Sequence, residues 1–513
     1  MSGRSVTRRT LVVTAVVAAA GLVLSSCTTG TWLGLPPTTA PPTVDPGDPS
    51  LYGQSVLWEP CSEVALGAEC ATIQAPMDWA QPESGNTIDL AIARLPAREP
   101  DQRIGSLLLN PGGPGASGVE MLSYFRSLAG APVRDAFDLV GFDPRGVGSS
   151  TAVVCYQTTE EMDQFFAATW PATLEGFEAS RAVVEPFAQA CAENTGPALA
   201  YIDTGSSARD MDLIRAVLGD SELYYLGYSY GTELGATYAE LFPDKVGRLV
   251  LDGAVDPSLP AAAHDIAQAK GFQQALEAYV ADCLQGGTCP LDGPVDQALT
   301  QINALLRQID AQPLPGDSTR ELTLPLAMNG LLVTMYDETA WSYLTDALEQ
   351  AFAGDGGGLL GLSDWYLDRD DVNGYINNTM EAFVAYGCLD SRAPADPASV
   401  EAHAKDLAAA APTFGEYWGF SEMLCEVWPY PQVGSPARVT APGANPILVI
   451  GTTGDPATPY EWAQALADQL ESGVLLTYEG HGHTAYGRSN QCIGDAVDAY
   501  LVEGTLPAVD TVC

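Results

Sequence analysis

The 513-residue sequence predicts an α/β fold, a sheet with crossover helices interrupted by a large helical insertion. Three observations carry this. Short apolar runs bounded by turn signals alternate with helically spaced apolar residues from about residue 85. This alternation stops near residue 258, and strand signal returns only at residue 446. Between them, residues 260–435 read as helices separated by Gly/Asp-rich breaks such as residues 354–358.

In chain order, IDLAIARL (88–95), SLLLN (106–110) and FDLVGFD (137–143) read as strands. Residues 206–218 carry helical spacing, with Ser206 or Ser207 as the N-cap. LYYLGY (223–228) is a strand, GTELGATYAELF (231–242) a helix and VGRLVLDG (246–253) a strand. PILVIG (446–451) and GVLLTY (473–478) complete the sheet, and 491–502 is a closing helix. The body therefore divides into a first sheet segment (51–258), a helical cap (259–435) and a second sheet segment (436–513).

Ahead of the body, residues 1–27 read as an export signal. Arg4, Arg8 and Arg9 precede a short apolar run from Leu11 to Leu24, and Leu24-Ser25-Ser26-Cys27 resembles a bacterial lipobox, in which the Cys27 thiol receives the lipid. The Thr/Pro-rich residues 28–50 cannot build a core and read as an extended tether. Membrane contact is thus expected through the lipid anchor alone. The charge is lopsided: 22 Lys and Arg against 65 Asp and Glu give −43, which repels phosphate backbones and excludes nucleic acid as a partner.

Ten cysteines follow Cys27, an even number that reads as disulfides in an exported chain. They fall into five neighbouring couples, so the expected bridges are Cys61–Cys70, Cys155–Cys191, Cys283–Cys289, Cys388–Cys425 and Cys492–Cys513. No CxxC pair or HExxH spacing is present, so neither a metal nor another cofactor is expected.

The chemistry concentrates in four places. Gly227-Tyr228-Ser229-Tyr230-Gly231 lies between a predicted strand and a predicted helix, where a sharp turn projects Ser229 as a nucleophile. Serine needs a base, and the base needs an orienting acid. His481 and His483 both follow the last long strand; the geometry of a Gly-bent loop does not choose between them, and His483, between Gly482 and Thr484, is preferred. Asp455, directly after PILVIGTTG, is the preferred acid, with Asp252 at the end of RLVLD as its rival. The loop Asn110-Pro111-Gly112-Gly113-Pro114-Gly115 can bring backbone amides close to a developing oxyanion, with Gly113 and Tyr230 as the donors.

Taken together, NPGGPG, FDPRGVGSS (142–150), GYSYGT, LDGAVDP (251–257), TTGDPATP (452–459) and GHGHT (480–484) resemble the exported tripeptidyl aminopeptidases and their prolyl-aminopeptidase-like relatives, serine hydrolases of the α/β-hydrolase fold. The resemblance spans about 60–260 and 380–513. It implies Ser229 as nucleophile, Asp455 as acid, His483 as base, a helical cap over the pocket, and peptide substrates cleaved near a free amino terminus; esterases with small-ester substrates belong to the wider group. Relatives that release proline carry His before their GGPG, whereas this chain has Asn110-Pro111, which argues against proline-specific release. An aminopeptidase must also hold an α-ammonium, and a buried carboxylate would do so. Asp390 and Glu381 are the candidates, followed by Glu422 and Glu426.

Overall fold

The computed structural model describes residues 49–169, 173–392, 396–418 and 423–513. The export signal with Cys27, all but the last two residues of the tether, and Glu422 lie outside the described residues.

Strands form where the apolar runs place them. The main sheet holds β1 (Glu59–Pro60), β2 (Glu69–Pro76), β3 (Thr87–Leu95), β4 (Gly105–Asn110), β5 (Phe137–Phe142), β6 (Leu223–Tyr228), β7 (Val246–Asp252), β8 (Ile447–Gly454), β9 (Gly473–His481) and β10 (Thr511–Val512). Its spatial order is β1-β2-β3-β5-β4-β6-β7-β8-β9-β10. The first three pairings are antiparallel and all the others parallel. Strands β4 and β5 are buried at every position, as a parallel sheet covered on both faces requires. Strand β2 escapes the sequence pattern because ECATIQAP holds few β-branched or aromatic residues; its pairing with β3 runs through eight residues, and Cys61–Cys70 ties its start.

Helix α1 (Thr204–Val217) starts earlier than expected. Asp203 is its N-cap, accepting the Ser206 amide at 2.8 Å, while Ser207 turns inward to a 2.6 Å hydrogen bond with Tyr386. The Asp carboxylate takes the amide that the two serines, already inside the first turn, cannot reach. Helix α2 (Tyr230–Leu241) packs beside it.

The insertion begins with α3 (Ala261–Cys283), a 23-residue helix whose buried stripe of Phe272, Leu276, Tyr279 and Val280 meets α4 (Leu324–Thr334) in an apolar cluster of its own. Each such large side chain contributes about 1.5–3 kcal/mol on burial. Two two-residue ladders, 314–315 with 321–322 and 369–370 with 374–375, are the β-structure described inside it. Helix α5 (Thr379–Asp390) behaves differently: Ala382, Phe383, Ala385 and Tyr386 join the cluster on one face of the main sheet. Near the end of the chain, α6 (Gln491–Glu503) packs on the opposite face, ahead of β10. All five sequential cysteine couples are bridged.

Candidate active site

Ser229 is the single residue between the end of β6 and the start of α2, with φ 55° and ψ −125°. A left-handed φ is strained for a serine, and it persists because the flanking backbone is over-determined. The Ser229 amide donates to the Asp252 carbonyl at 2.9 Å, and its own carbonyl receives the Thr232 amide at 2.8 Å. Glycine is obligatory on either side. A Cβ on Gly227 would stand 2.3 Å from the Gly231 carbonyl oxygen, and one on Gly231 would stand 2.7 Å from Asn110 Oδ1.

The glycine loop after β4 lies against this turn. A Cβ on Gly112, at φ 99°, would fall 2.6 Å from the Tyr228 carbonyl oxygen and 2.9 Å from Ser229 Cβ, so backbone can come this close only without a side chain. The Gly112 amide is consumed by Asn110 Oδ1 at 2.9 Å, whereas Gly113 lines the cavity with Ser229. Fully buried Asn110 thus closes the loop on itself and packs its Oδ1 close to Gly231, a role that its place at a strand end did not signal. Asp143 holds the far side of the loop, accepting from the Ser117 hydroxyl and from the amides of Val119 and Ser149.

Asp455 and His483 come together. Imidazole Nδ1 lies 2.9 Å from both carboxylate oxygens, and Asp455 also accepts the amides of Ala457 at 3.0 Å, Thr458 at 2.8 Å and Thr484 at 3.2 Å. With Nδ1 facing a carboxylate, the ring is held with its proton on that nitrogen. Nε2 is buried and makes no hydrogen bond to a described residue, Ser229 included; such bonds tighten in a substrate complex. His483 Cε1 stands 3.2 Å from the position of a Cβ on Gly253, the residue after Asp252, whose carbonyl holds Ser229. Ring, acid and hydroxyl therefore gather at the carboxyl ends of β6, β7 and β8.

His481 does not join them: it is exposed, with its ring 6.5 Å from that of Trp341. Asp252 sits next door, fully buried, and accepts the Ala485 amide at 3.0 Å and the Tyr486 amide at 2.7 Å. Burial pushes its carboxyl up to about 6 against the pull of those amides. It braces the histidine loop rather than the ring. The insertion braces the same loop from above. The Tyr336 carbonyl accepts the His483 amide at 2.8 Å, and the Tyr336 ring meets the imidazole edge-on with centroids 5.4 Å apart.

Ser229, Gly113, Tyr230 and Tyr336 line a cavity of about 310 Å³ walled by α1, α2, α3 and α5. Asp390 reaches it from the end of α5; its carboxylate accepts the Thr204 amide at 3.0 Å and the Thr204 hydroxyl at 2.7 Å. Burial holds its carboxyl well above the usual range, with Asp203 adding to the rise. Glu233, which the sequence reading passed over, also lines the cavity. Glu426 is paired with Arg181 and is not among the lining residues.

Glu381 does not face the cavity. Its carboxylate accepts the Cys155 amide at 2.6 Å, and burial pushes its carboxyl up to about 7 from an ordinary 4.5. A raised folded-state value favours the protonated form, so this contribution to stability is complete below about pH 4.5 and is lost as the pH rises through 7. Glu381→Gln, which mimics the neutral carboxyl, is expected to match the wild type at pH 4 and to exceed it at pH 8 by up to roughly 3 kcal/mol. Urea melts at the two pH values check this; a variant less stable at both would refute it.

A nucleophile elbow, a carboxylate-held imidazole and a glycine loop at the carboxyl ends of a largely parallel sheet define a serine hydrolase of the α/β-hydrolase class. Residues 411–513 match the family model described as TAP-like protein. The chain is 37% identical to Serine protease Hip1 of Mycobacterium tuberculosis over 480 residues, covering 90% of this chain and 91% of that protein. It is 39% identical to Carboxylesterase B of the same organism over 509 residues (94% and 96%), and 32% identical to Tripeptidyl aminopeptidase of Streptomyces lividans over 476 (89% and 86%). The chain belongs to this tripeptidyl-aminopeptidase-like family of serine hydrolases.

Proposed function

We propose that the chain is an exported serine peptidase, anchored through a lipid on Cys27, that releases short peptides from the amino ends of peptide substrates. The observation that carries the reading is the Asp455–His483 pair, with Nε2 unengaged, gathered with Ser229 at one end of the sheet. The five disulfides fit the oxidising compartment this requires.

In this reading Ser229 Oγ attacks the scissile carbonyl while His483 Nε2 takes its proton, and Asp455 stabilises the imidazolium that forms. The amides of Gly113 and Tyr230 receive the oxyanion. His483 then hands the proton to the departing amine, leaving an acyl-enzyme on Ser229. Water, deprotonated by the same nitrogen, releases the short peptide and restores the serine. Asp390, at the cavity wall, is the candidate partner for the substrate's α-ammonium. The resemblance to Carboxylesterase B favours a second reading, ester hydrolysis by the same machinery.

A panel of aminoacyl, dipeptidyl and tripeptidyl p-nitroanilides beside p-nitrophenyl esters separates the two. Turnover of the tripeptidyl anilide, with a tripeptide identified by mass spectrometry, is the expected outcome. Turnover of the esters with every anilide left intact would replace the peptidase with the esterase.

A further inference from the structure

We propose that Glu233 and Asp390 together form a recognition site for a substrate cation, an ammonium or guanidinium, on the cavity wall beside Ser229. The proposal rests on the peptidase reading for its substrate, but the carboxyl pair itself is read from the cavity.

Glu233 lies four residues after Ser229, in the first turn of α2. Both residues line the cavity. No hydrogen bond or ion pair joins the Glu233 carboxylate to any described residue. Burial alone pushes its carboxyl up to about 7, with no neighbouring cation to offset it.

From the end of α5 Asp390 lines the same cavity, and a charge on Glu233 opposes one on Asp390. Thr204 links the two walls: its hydroxyl reaches Asp390 at 2.7 Å and the Tyr230 hydroxyl at 2.6 Å. The third lining acid, Asp256, is already engaged by the Ser258 amide at 3.0 Å, the Ser258 hydroxyl at 2.7 Å and Gln469 at 2.7 Å. No Lys or Arg lines the cavity among the described residues. His264 lines it too, and burial holds its imidazole down at about 4 and therefore neutral. Two acids facing one cavity with no protein cation are costly unless a ligand supplies the opposite charge. A charge-assisted hydrogen bond to a bound cation supplies it.

Two parts of a peptide carry such a charge, its α-ammonium and a Lys or Arg side chain. The test measures ratios within each enzyme. For wild type and Glu233→Gln, kcat/KM is measured for Ala-Ala-Ala p-nitroanilide against its N-acetyl form. A second pair of N-acetyl tripeptide anilides differs only in Lys or norleucine next to the scissile bond. We expect one of the two charged-over-neutral ratios to fall about 10–100-fold in the variant, the loss of one charge-assisted hydrogen bond. A fall in the first pair assigns the α-ammonium, and a fall in the second the basic side chain. Ratios within twofold of wild type for both pairs, in Glu233→Gln and again in Glu233→Gln with Asp390→Asn, overturn the proposal.

Should wild type cleave no anilide, the peptidase reading fails, but the site is still read by inhibition of p-nitrophenyl acetate hydrolysis. Trialanine amide and acetyl-lysine amide are then the probes. At least one should inhibit wild type about tenfold more tightly than Glu233→Gln; equal inhibition of both enzymes by each probe overturns the proposal.

Discussion

Ser229→Ala should lower kcat by about 10⁴–10⁶-fold on anilide and ester alike, and should abolish covalent labelling by a fluorophosphonate. The hydroxyl is the only group the substitution removes. Backbone strain at φ 55° is the same for alanine, and the Ser229 amide keeps its bond to the Asp252 carbonyl, so the fold should survive. Circular dichroism and an unchanged melting temperature would establish that. A variant retaining a tenth of wild-type turnover would remove Ser229 from the chemistry.

Asp455→Asn should cost about 10⁴-fold in kcat with little change in KM, because an amide facing Nδ1 stabilises the wrong tautomer and cannot balance the imidazolium. The rival acid gives the contrast. Asp252 accepts the amides of Ala485 and Tyr486, so Asp252→Asn loosens the loop that carries the base without touching the ring. Its effect on kcat should be about tenfold, accompanied by a lower melting temperature. Steady-state kinetics of the two variants on one substrate decide the matter, and the reverse order of effects would make Asp252 the orienting acid.

Much of the sheet was legible because its central strands are short apolar runs between turn residues. LYYLGY predicts β6 to the residue, and the strand after the insertion begins one residue inside the predicted run. The elbow was legible for the same reason: two glycines around a serine have meaning only when a strand precedes them and a helix follows. Asp455 could be picked from many acids because it sits at a strand end.

What stayed hidden depends on partners far away in sequence. Glu233 was one of 65 acids, and nothing local says that its carboxylate faces a cavity. Glu381 was one of the acids named to hold an α-ammonium, yet its carboxylate is spent on an amide 226 residues away. Ser206 and Ser207 looked like caps because a hydroxyl at a helix start often is one; Asp203, three residues upstream of Ser206, holds the amide instead. Asn110 read as the end of a strand, and only the loop folding back onto Gly112 and Gly231 gives its side chain a task.

The grip of the Tyr336 carbonyl on the His483 amide makes the insertion part of what positions the imidazole. Tyr336 follows α4 by two residues, so a hinge motion that carries α4 away from the sheet drags on the backbone of the base. A substitution in the roof at Tyr336 would therefore be felt at the imidazole without touching Asp455 or Ser229.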